Sequence, residues 1–414
     1  VNPHSEDHIH RTIESVARAS YGRLIAFLCA RTRDVAGAED AMGEALIAAL
    51  TTWPRDGVPR NPEGWLLTAA RNRLIDRARH ERMRLQSAPT LELIAGDSAD
   101  VTASNPIPDE RLKLLFVCTH PAIDPDMHTP LMLQTVLGLD AAEIARAFLV
   151  SPTTMGQRLV RSKTKIRHSG IKFEVPDERD LPQRLEAVLN AIYAAYGSRW
   201  EDAAGADPRA RGLADEAIWL ARVLRERMPE EAEVRGLLAL MLHCEARRLA
   251  RRAADGRFIP LSEQDPHLWI APMIDEAERE LAAAVRQSRF GRFQLEAAIQ
   301  SVHADRARSG HTDWNAIALF YEQIVQLSPA LGASVGRAAA VAEVKGPEFA
   351  LSLLDAIESA CVGTYQPYWA VRAHLLQCMN RNRDAAEAFD RAIGLTEDAA
   401  VRCFLLERRA RRLS

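Results

Sequence analysis

The sequence predicts an all-α fold on three observations. Helix-forming Ala, Leu and Arg are abundant in a chain of 414 residues that is 47% hydrophobic and 6% aromatic. Val/Ile/Thr-rich alternating runs of the strand type are scarce. Apolar residues instead recur at helical spacing from residue 13 onward. The length is enough for two to four domains with real cores.

The elements follow in order. Residues 13–30 carry a stripe of Ile13, Val16, Ala17, Leu24, Ile25 and Leu28, and 36–53 carry Ala38, Ala41, Met42, Ala45, Leu46 and Ala49. The stretch 53–62 is dense in Pro and Gly and reads as a turn. Pro62 suits a first helical turn, so a helix is expected over about 63–84. Residues 1–85 form a first domain. Residues 86–108 are rich in Ser, Asp and Pro without a sustained period and read as a linker. A second helical domain spans 109–172, and 173–180 is a short acidic connector. The rest of 173–414 is a series of amphipathic helices. Two segments, starting at Trp314 and Asp384, look like degenerate helix-pair repeats, so a TPR-like α-solenoid is expected there.

Within the second domain, Leu139-Asp-Ala-Ala-Glu-Ile-Ala-Arg-Ala-Phe148 and Ser151-Pro-Thr-Thr-Met-Gly-Gln-Arg-Leu-Val-Arg-Ser-Lys-Thr-Lys-Ile-Arg167 read as two short helices with a tight connection. Asp140 and Ser151 are natural N-caps, and Pro152 takes the first helical position. Five Lys/Arg and no acid lie between Ser151 and His168. Arg158, Arg161, Lys163 and Lys165 are expected on the exposed face, with Met155, Leu159 and Ile166 facing inward. This is a helix-turn-helix with a basic recognition helix. Thr153, Thr154 and Gln157 lie at its N-terminus, where side chains reach base edges; Arg158, Arg161 and Lys165 suit phosphates. The net charge of −3 does not oppose this, because local patches set phosphate attraction. A second basic stretch has six Arg from Arg71 to Arg84 against Asp76 and Glu81. Like charges at such spacing repel, and phosphate neutralisation is the usual reason to tolerate them.

Other classes find less support. No phosphate loop, nucleophile elbow or HExxH spacing occurs, so neither an enzyme nor a cofactor is expected. Glu245, Glu263, Asp265, His303 and Asp313 are polar residues in apolar surroundings and read as pins between helices. Arg247 to Arg252 and Arg408 to Arg412 are expected to pair with neighbouring acids. The six cysteines (29, 118, 244, 361, 378 and 403) are scattered, which predicts reduced, mostly buried thiols in a cytosolic protein. Cys118 and His120 lack a second Cys/His pair, so no metal site is expected. No apolar run approaches a membrane span.

The first domain carries Ala38-Glu-Asp-Ala-Met-Gly-Glu-Ala-Leu46, then Trp53-Pro54, then Pro62-Glu-Gly-Trp-Leu-Leu-Thr-Ala-Ala-Arg-Asn-Arg-Leu-Ile-Asp-Arg-Ala-Arg79. This order resembles region 2 of the extracytoplasmic-function sigma factors, the group IV members of the sigma-70 family, and 109–171 resembles their region 4. The resemblance implies that Glu39, Asp40 and Glu44 dock on the β′ clamp helices of core RNA polymerase, although a solvated acidic face is the plain alternative. It further implies that Arg71, Asn72, Arg73, Arg77, Arg79 and Arg82 open and read the −10 element of promoter DNA. Ser151, Thr153, Thr154, Gln157, Arg158, Arg161 and Lys165 would then read the −35 element, with the β flap as the second polymerase contact. Trp65 reads as core.

Phe116-Val-Cys-Thr-His-Pro-Ala-Ile123 is similar to the start of region 4 in one subgroup, which carries a long helical C-terminal extension. Leu237 to Arg251, Pro260 to Asp265 with Trp269, Gln294 to His303, and Thr312-Asp-Trp314 look like signatures of that extension. Ala191 to Ser198 aligns only loosely with the subgroup's Asn-Glu-Gly-Tyr pattern, and Asp265-Pro-His stands where Asp-Arg is usual. The expectation is a bacterial, cytoplasmic, nucleoid-associated sigma factor regulated by its own C-terminal domain, on which a protein or small-molecule signal would act. The rival is a TPR-type scaffold or signal receptor with an accessory helix-turn-helix.

Overall fold

The computed structural model describes the backbone of residues 3–85, 109–148, 150–177, 179–197, 208–287, 290–358 and 362–410. The expected linker 86–108 lies outside the described residues. Among those described there are α-helices, four 3-10 turns and no strand beyond one isolated bridge between Arg252 and Phe258. Two compact units divide the chain, Val1–Ser198 and Arg199–Ser414.

The first unit opens with α1 (Pro3–Thr32), α2 (Val35–Asp56) and α3 (Pro62–Leu85), which pack on one another. Small residues permit the close approach: Ala38, Ala41, Ala45 and Ala49 form the buried stripe of α2 together with Val35, Met42 and Trp53. The breaker-rich turn was expected from residue 53, but α2 continues through Pro54 to Asp56. The following N–H of Gly57 closes the turn on the Trp53 carbonyl at 2.9 Å, and Gly57 takes a positive φ of 85°. Asn61 caps α3 by accepting from the Gly64 N–H at 3.0 Å. Trp65 packs edge to face on buried Trp53, with ring centroids 5.6 Å apart.

Helices α4 (Arg111–Cys118), α5 (His128–Thr135), α6 (Ala141–Ala147), α7 (Pro152–His168) and α8 (Leu181–Gly197) complete this unit. Helix α4 packs on α1, α6 on α7, and α7 on α2. The sequence groups α8 with the C-terminal domain, whereas in the structure it packs on α4 and α5 inside the first unit. The Arg184 guanidinium of α8 donates to the Phe116 carbonyl.

The second unit is built around α10 (Ala232–Ala246), in which nearly every residue is buried, from Val234 and Leu237 through Leu242 to Ala246. A helix apolar on all sides belongs at the centre of a core. It is flanked by α9 (Pro208–Arg227), α11 (Ala271–Val285) and α12 (Arg292–Ser309). Close approach is needed where α12 meets α10: a Cβ on Gly236 would stand 2.6 Å from the Gln294 nitrogen. The Glu233 carboxylate then caps α12 from outside, accepting from the N–H groups of Phe293 and Gln294 at 2.9 and 3.0 Å.

Among the described residues six helices follow: α13 (Trp314–Leu327), α14 (Leu331–Lys345), α15 (Pro347–Asp355), α16 (Gln366–Cys378), α17 (Asn382–Leu395) and α18 (Ala399–Ala410). Each packs on the next, which is the nearest-neighbour pattern of a helical array. The array is nevertheless not open at both ends. A strap of 3-10 turns between α10 and α11 reaches the last helix through Arg252–Asp398, Phe258 on Phe404 at 5.4 Å, and Glu263–Arg408.

The polar residues singled out in the extension hold local structure. Glu245 is buried and pairs with Arg248 at 2.7 Å. Asp265 caps a 3-10 turn at His267, and Asp313 caps α13 at Ala316. His303 packs edge to face on Trp314. Of the described cysteines, all free, Cys29, Cys118 and Cys244 are buried, whereas Cys378 and Cys403 are exposed. Cys361 lies outside the described residues.

Candidate polymerase and DNA interface

Three helices of the first unit carry the predicted contact residues. Helix α2 starts at Asp34, whose carboxylate accepts from the Gly37 N–H at 3.1 Å. Its buried stripe turns Asp40 and Glu44 outward, and the next turn on that side exposes Ile47, with 64% of its surface open. Acid and apolar groups therefore share one open face. Sequence reading passed over Ile47, although it stands seven residues after Asp40 and off the stripe of small residues.

The same face meets α3. Asp40 pairs with Arg77 at 3.0 Å, and Glu44 with Arg73 at 3.3 Å. All four side chains are about half exposed, so each pair is worth ~0–1 kcal/mol and exchanges readily for another partner. The surplus of like charge on α3 is thus partly neutralised by α2. Asn72 and Arg79 are exposed, Arg79 reaching Asp76 at 3.6 Å. Arg71 is turned inward, its guanidinium 5.7 Å from the Phe27 ring centroid, beside Arg31 at 3.6 Å on the same ring. The side chain of Arg82 lies outside the described residues.

Helices α6 and α7 form the expected pair. Asp140 caps α6 by accepting from Glu143 N–H at 2.7 Å, and Ser151 caps α7 by accepting from Thr154 N–H at 3.1 Å. Met155, Leu159 and Ile166 are buried. Ser151, Thr153, Gln157, Arg158, Arg161 and Lys165 are exposed, while Thr154 is half-buried with its hydroxyl 2.8 Å from that of Ser151. Lys163 departs from the expectation. Instead of joining the exposed basic face, it is buried and pairs with Glu39 of α2. The periodicity explains why: Leu159, Lys163 and Ile166 fall on one side of the helix. Burial pushes the Glu39 carboxyl pKa up, and the Lys163 ammonium opposes that shift. Of the three acids assigned to one docking surface, Asp40 and Glu44 are open and Glu39 is engaged.

Cys118 and His120 do not converge on a shared ligand: the Cys118 thiol meets the Thr135 hydroxyl at 3.1 Å, and the His120 ring accepts from the Ala122 N–H at 3.0 Å. No group of three or more His, Cys, Asp or Glu side chains arranged to hold a metal occurs among the described residues. Nor is any described helix long and apolar enough to cross a membrane.

Residues 16–84 match the family model of sigma-70 region 2, and residues 184–285 match a family of unknown function, DUF6596. An uncharacterized protein of Rhizobium meliloti (strain 1021) is 38% identical over 374 residues, covering 89% of this chain and 88% of that one. No solved structure matches.

Proposed function

Because this chain belongs to one family with that Rhizobium meliloti protein and carries sigma-70 region 2 at its N-terminus, we propose that it is a sigma factor of the extracytoplasmic-function type. It binds core RNA polymerase and directs promoter-specific initiation. The observation that carries the reading is the succession, within one unit, of an acidic-apolar face on α2, an arginine-rich α3 and a capped pair α6–α7 with a basic outer face. Asp40, Glu44 and Ile47 dock on polymerase, while Glu39, engaged by Lys163, is set back from that face. Asn72, Arg73, Arg77 and Arg79 contact the −10 element. Thr153 and Gln157 read base edges of the −35 element, and Arg158, Arg161 and Lys165 hold its phosphates. The role is one of binding and positioning, with no chemical step supplied by this chain. The second unit acts as the regulatory module, in a positive, scaffolding sense.

The test is co-purification with core polymerase, followed by run-off transcription from a promoter library. Promoter-specific transcripts that require the protein support the reading. Absence of both core binding and transcripts overturns it in favour of a helical scaffold with an accessory DNA-binding pair. Removal of the second unit alone, residues 199–414, is expected to lower promoter output; unchanged output would rule out intramolecular regulation.

A further inference from the structure

Residues 184–285 match a single family model, yet they cross the boundary between the two units at Ser198. Helix α8 lies on one side of that boundary, and α9, α10 and α11 lie on the other. A stretch that recurs as one sequence unit thus places its first helix in the DNA-reading half and the rest in the second unit.

The DNA-reading half has little to hold it up without α8. Helices α4 and α5 have eight residues each and α6 has seven. Helices so short are marginal by themselves in water and depend on tertiary packing. In α5, Thr129, Pro130, Leu131, Met132, Leu133 and Thr135 are all buried, so the helix needs cover on every side. Helices α4, α6 and α7 supply part of that cover, and α8 supplies more. It does so with a stripe of Leu185, Val188, Leu189, Ile192 and Tyr196, all buried and spaced as one face of a helix. Arg184, just ahead of the stripe, closes the end of α4. The Phe116 carbonyl is among the last four of that helix, which lack a partner within it. The Arg184 guanidinium donates to this carbonyl and lies 6.0 Å from the centroid of the buried Phe116 ring.

Helix α5 also meets α6 and α7, and the 3-10 turn ahead of it, Pro125–Met127, touches α7 as well. The recognition pair rests on α5, and α5 rests on α8. Resting on the sigma-factor reading, we infer that α8 is the joint through which the C-terminal extension governs −35 binding. The DNA-reading half is a composite. Residues 109–172 bring the groups that face DNA, and the extension brings the helix that keeps them in place. A change in the second unit that draws α8 off α4 and α5 uncovers α5 and loosens the support of α6 and α7. It lowers −35 affinity without altering any residue that faces DNA. Polymerase docking on α2 is left alone, because α8 makes its contacts with α4 and α5.

The experiment folds the full chain first and cuts it afterwards. A protease recognition sequence is inserted between Glu174 and Val175, both exposed and ahead of α8. After cleavage the two pieces should stay together and keep the uncut affinity for a −35 duplex taken from a promoter the protein transcribes. Val188→Asp places a charge in the fully buried stripe. The same cut in that variant should let the pieces separate, and −35 affinity should fall at least about tenfold as the competent form is depleted. Uncut Arg184→Ala, which removes the cap on α4 and leaves the stripe intact, should cost about threefold. Core-polymerase affinity should match wild type in both variants, which reports that α1–α3 are folded. Wild-type pieces that separate, or Val188→Asp pieces that stay together, overturn α8 as the joint. Separation with −35 affinity unchanged overturns its control of DNA binding. If Val188→Asp also loses core binding, Arg184→Ala decides, and wild-type −35 affinity there overturns the proposal. In all these cases core binding by the uncut wild type leaves the sigma-factor reading standing. An uncut wild type that binds neither core nor any −35 duplex overturns that reading instead.

Discussion

The arginines of α3 in the first unit and a set of shielded arginines in the second are used in opposite ways. In the first, Arg73, Arg77 and Arg79 sit on exposed faces and pair with acids that are themselves open to water. In the second, Arg252 and Asp398 are both largely buried, Arg235 pairs with Glu280 at 2.5 Å in a shielded site, and Arg251 donates to the Cys244 carbonyl. Exposed pairs cost little to exchange. Buried ones are costly to break because each leaves a charge without water or partner. Similar arginine-rich strings in the sequence thus yield exchangeable surface pairs in one place and fixed joints in the other.

The sharpest way to break this comparison is Arg252→Ala. It removes one partner of the joint between the strap and the start of α18, and should lower stability by about 3 kcal/mol, read from urea unfolding of the full chain. A loss under ~1 kcal/mol would place that joint with the surface pairs. Next comes charge reversal of Asp40 and Glu44 to Lys. Core-polymerase affinity should fall at least about a hundredfold, roughly 2.7 kcal/mol, with the melting temperature nearly unchanged; full affinity would remove these acids from the docking face.

A third effect depends on pH. His243 is buried in α10, where burial first and the Arg247 charge second lower its pKa to about 3. The unfolded imidazole takes up its proton near pH 6.5 and the folded one does not. Stability is therefore fully present above about 6.5 and falls as pH drops from there towards 3, by about 1.4 kcal/mol per pH unit. His243→Leu should flatten the slope between pH 6 and 4.5, measured against wild type by urea unfolding. An unchanged slope would show that His243 is not the titrating group. The smallest effect belongs to the exposed face of α7. Arg158→Ala should leave stability within ~0.5 kcal/mol and reduce the salt slope of −35 binding by about one. A changed sequence preference at constant slope would move Arg158 from phosphate contact to base reading.

Several features are legible in the amino-acid sequence alone. The caps at Asp140 and Ser151, the inward positions of Met155, Leu159 and Ile166, and the stripe of small residues on α2 follow from local rules of spacing and capping. So does the structural reading of Asp313. The order of acidic helix, Trp-Pro and arginine-rich helix is enough to suggest sigma region 2, and the family match covers that block. Arg71, Lys163 and Ile47 are not legible in this way. Helical periodicity tells which residues share a side, but not which side another helix will cover. Arg71 turns in because Phe27 of α1 lies beneath it, and Lys163 because Glu39 faces it from 124 positions away.

By itself, then, the sequence determined the helical class, the local caps and the succession of charged and apolar faces, since these depend on neighbours within a turn or two of chain. Tertiary structure alone decided which charges are free and which are joined. It packed α8 into the first unit, tied the strap to the start and the last turn of the final helix, and set Lys163 against Glu39. Those outcomes depend on burial and on partners distant in sequence, and the strength of a charge in a protein is set by how much water it keeps.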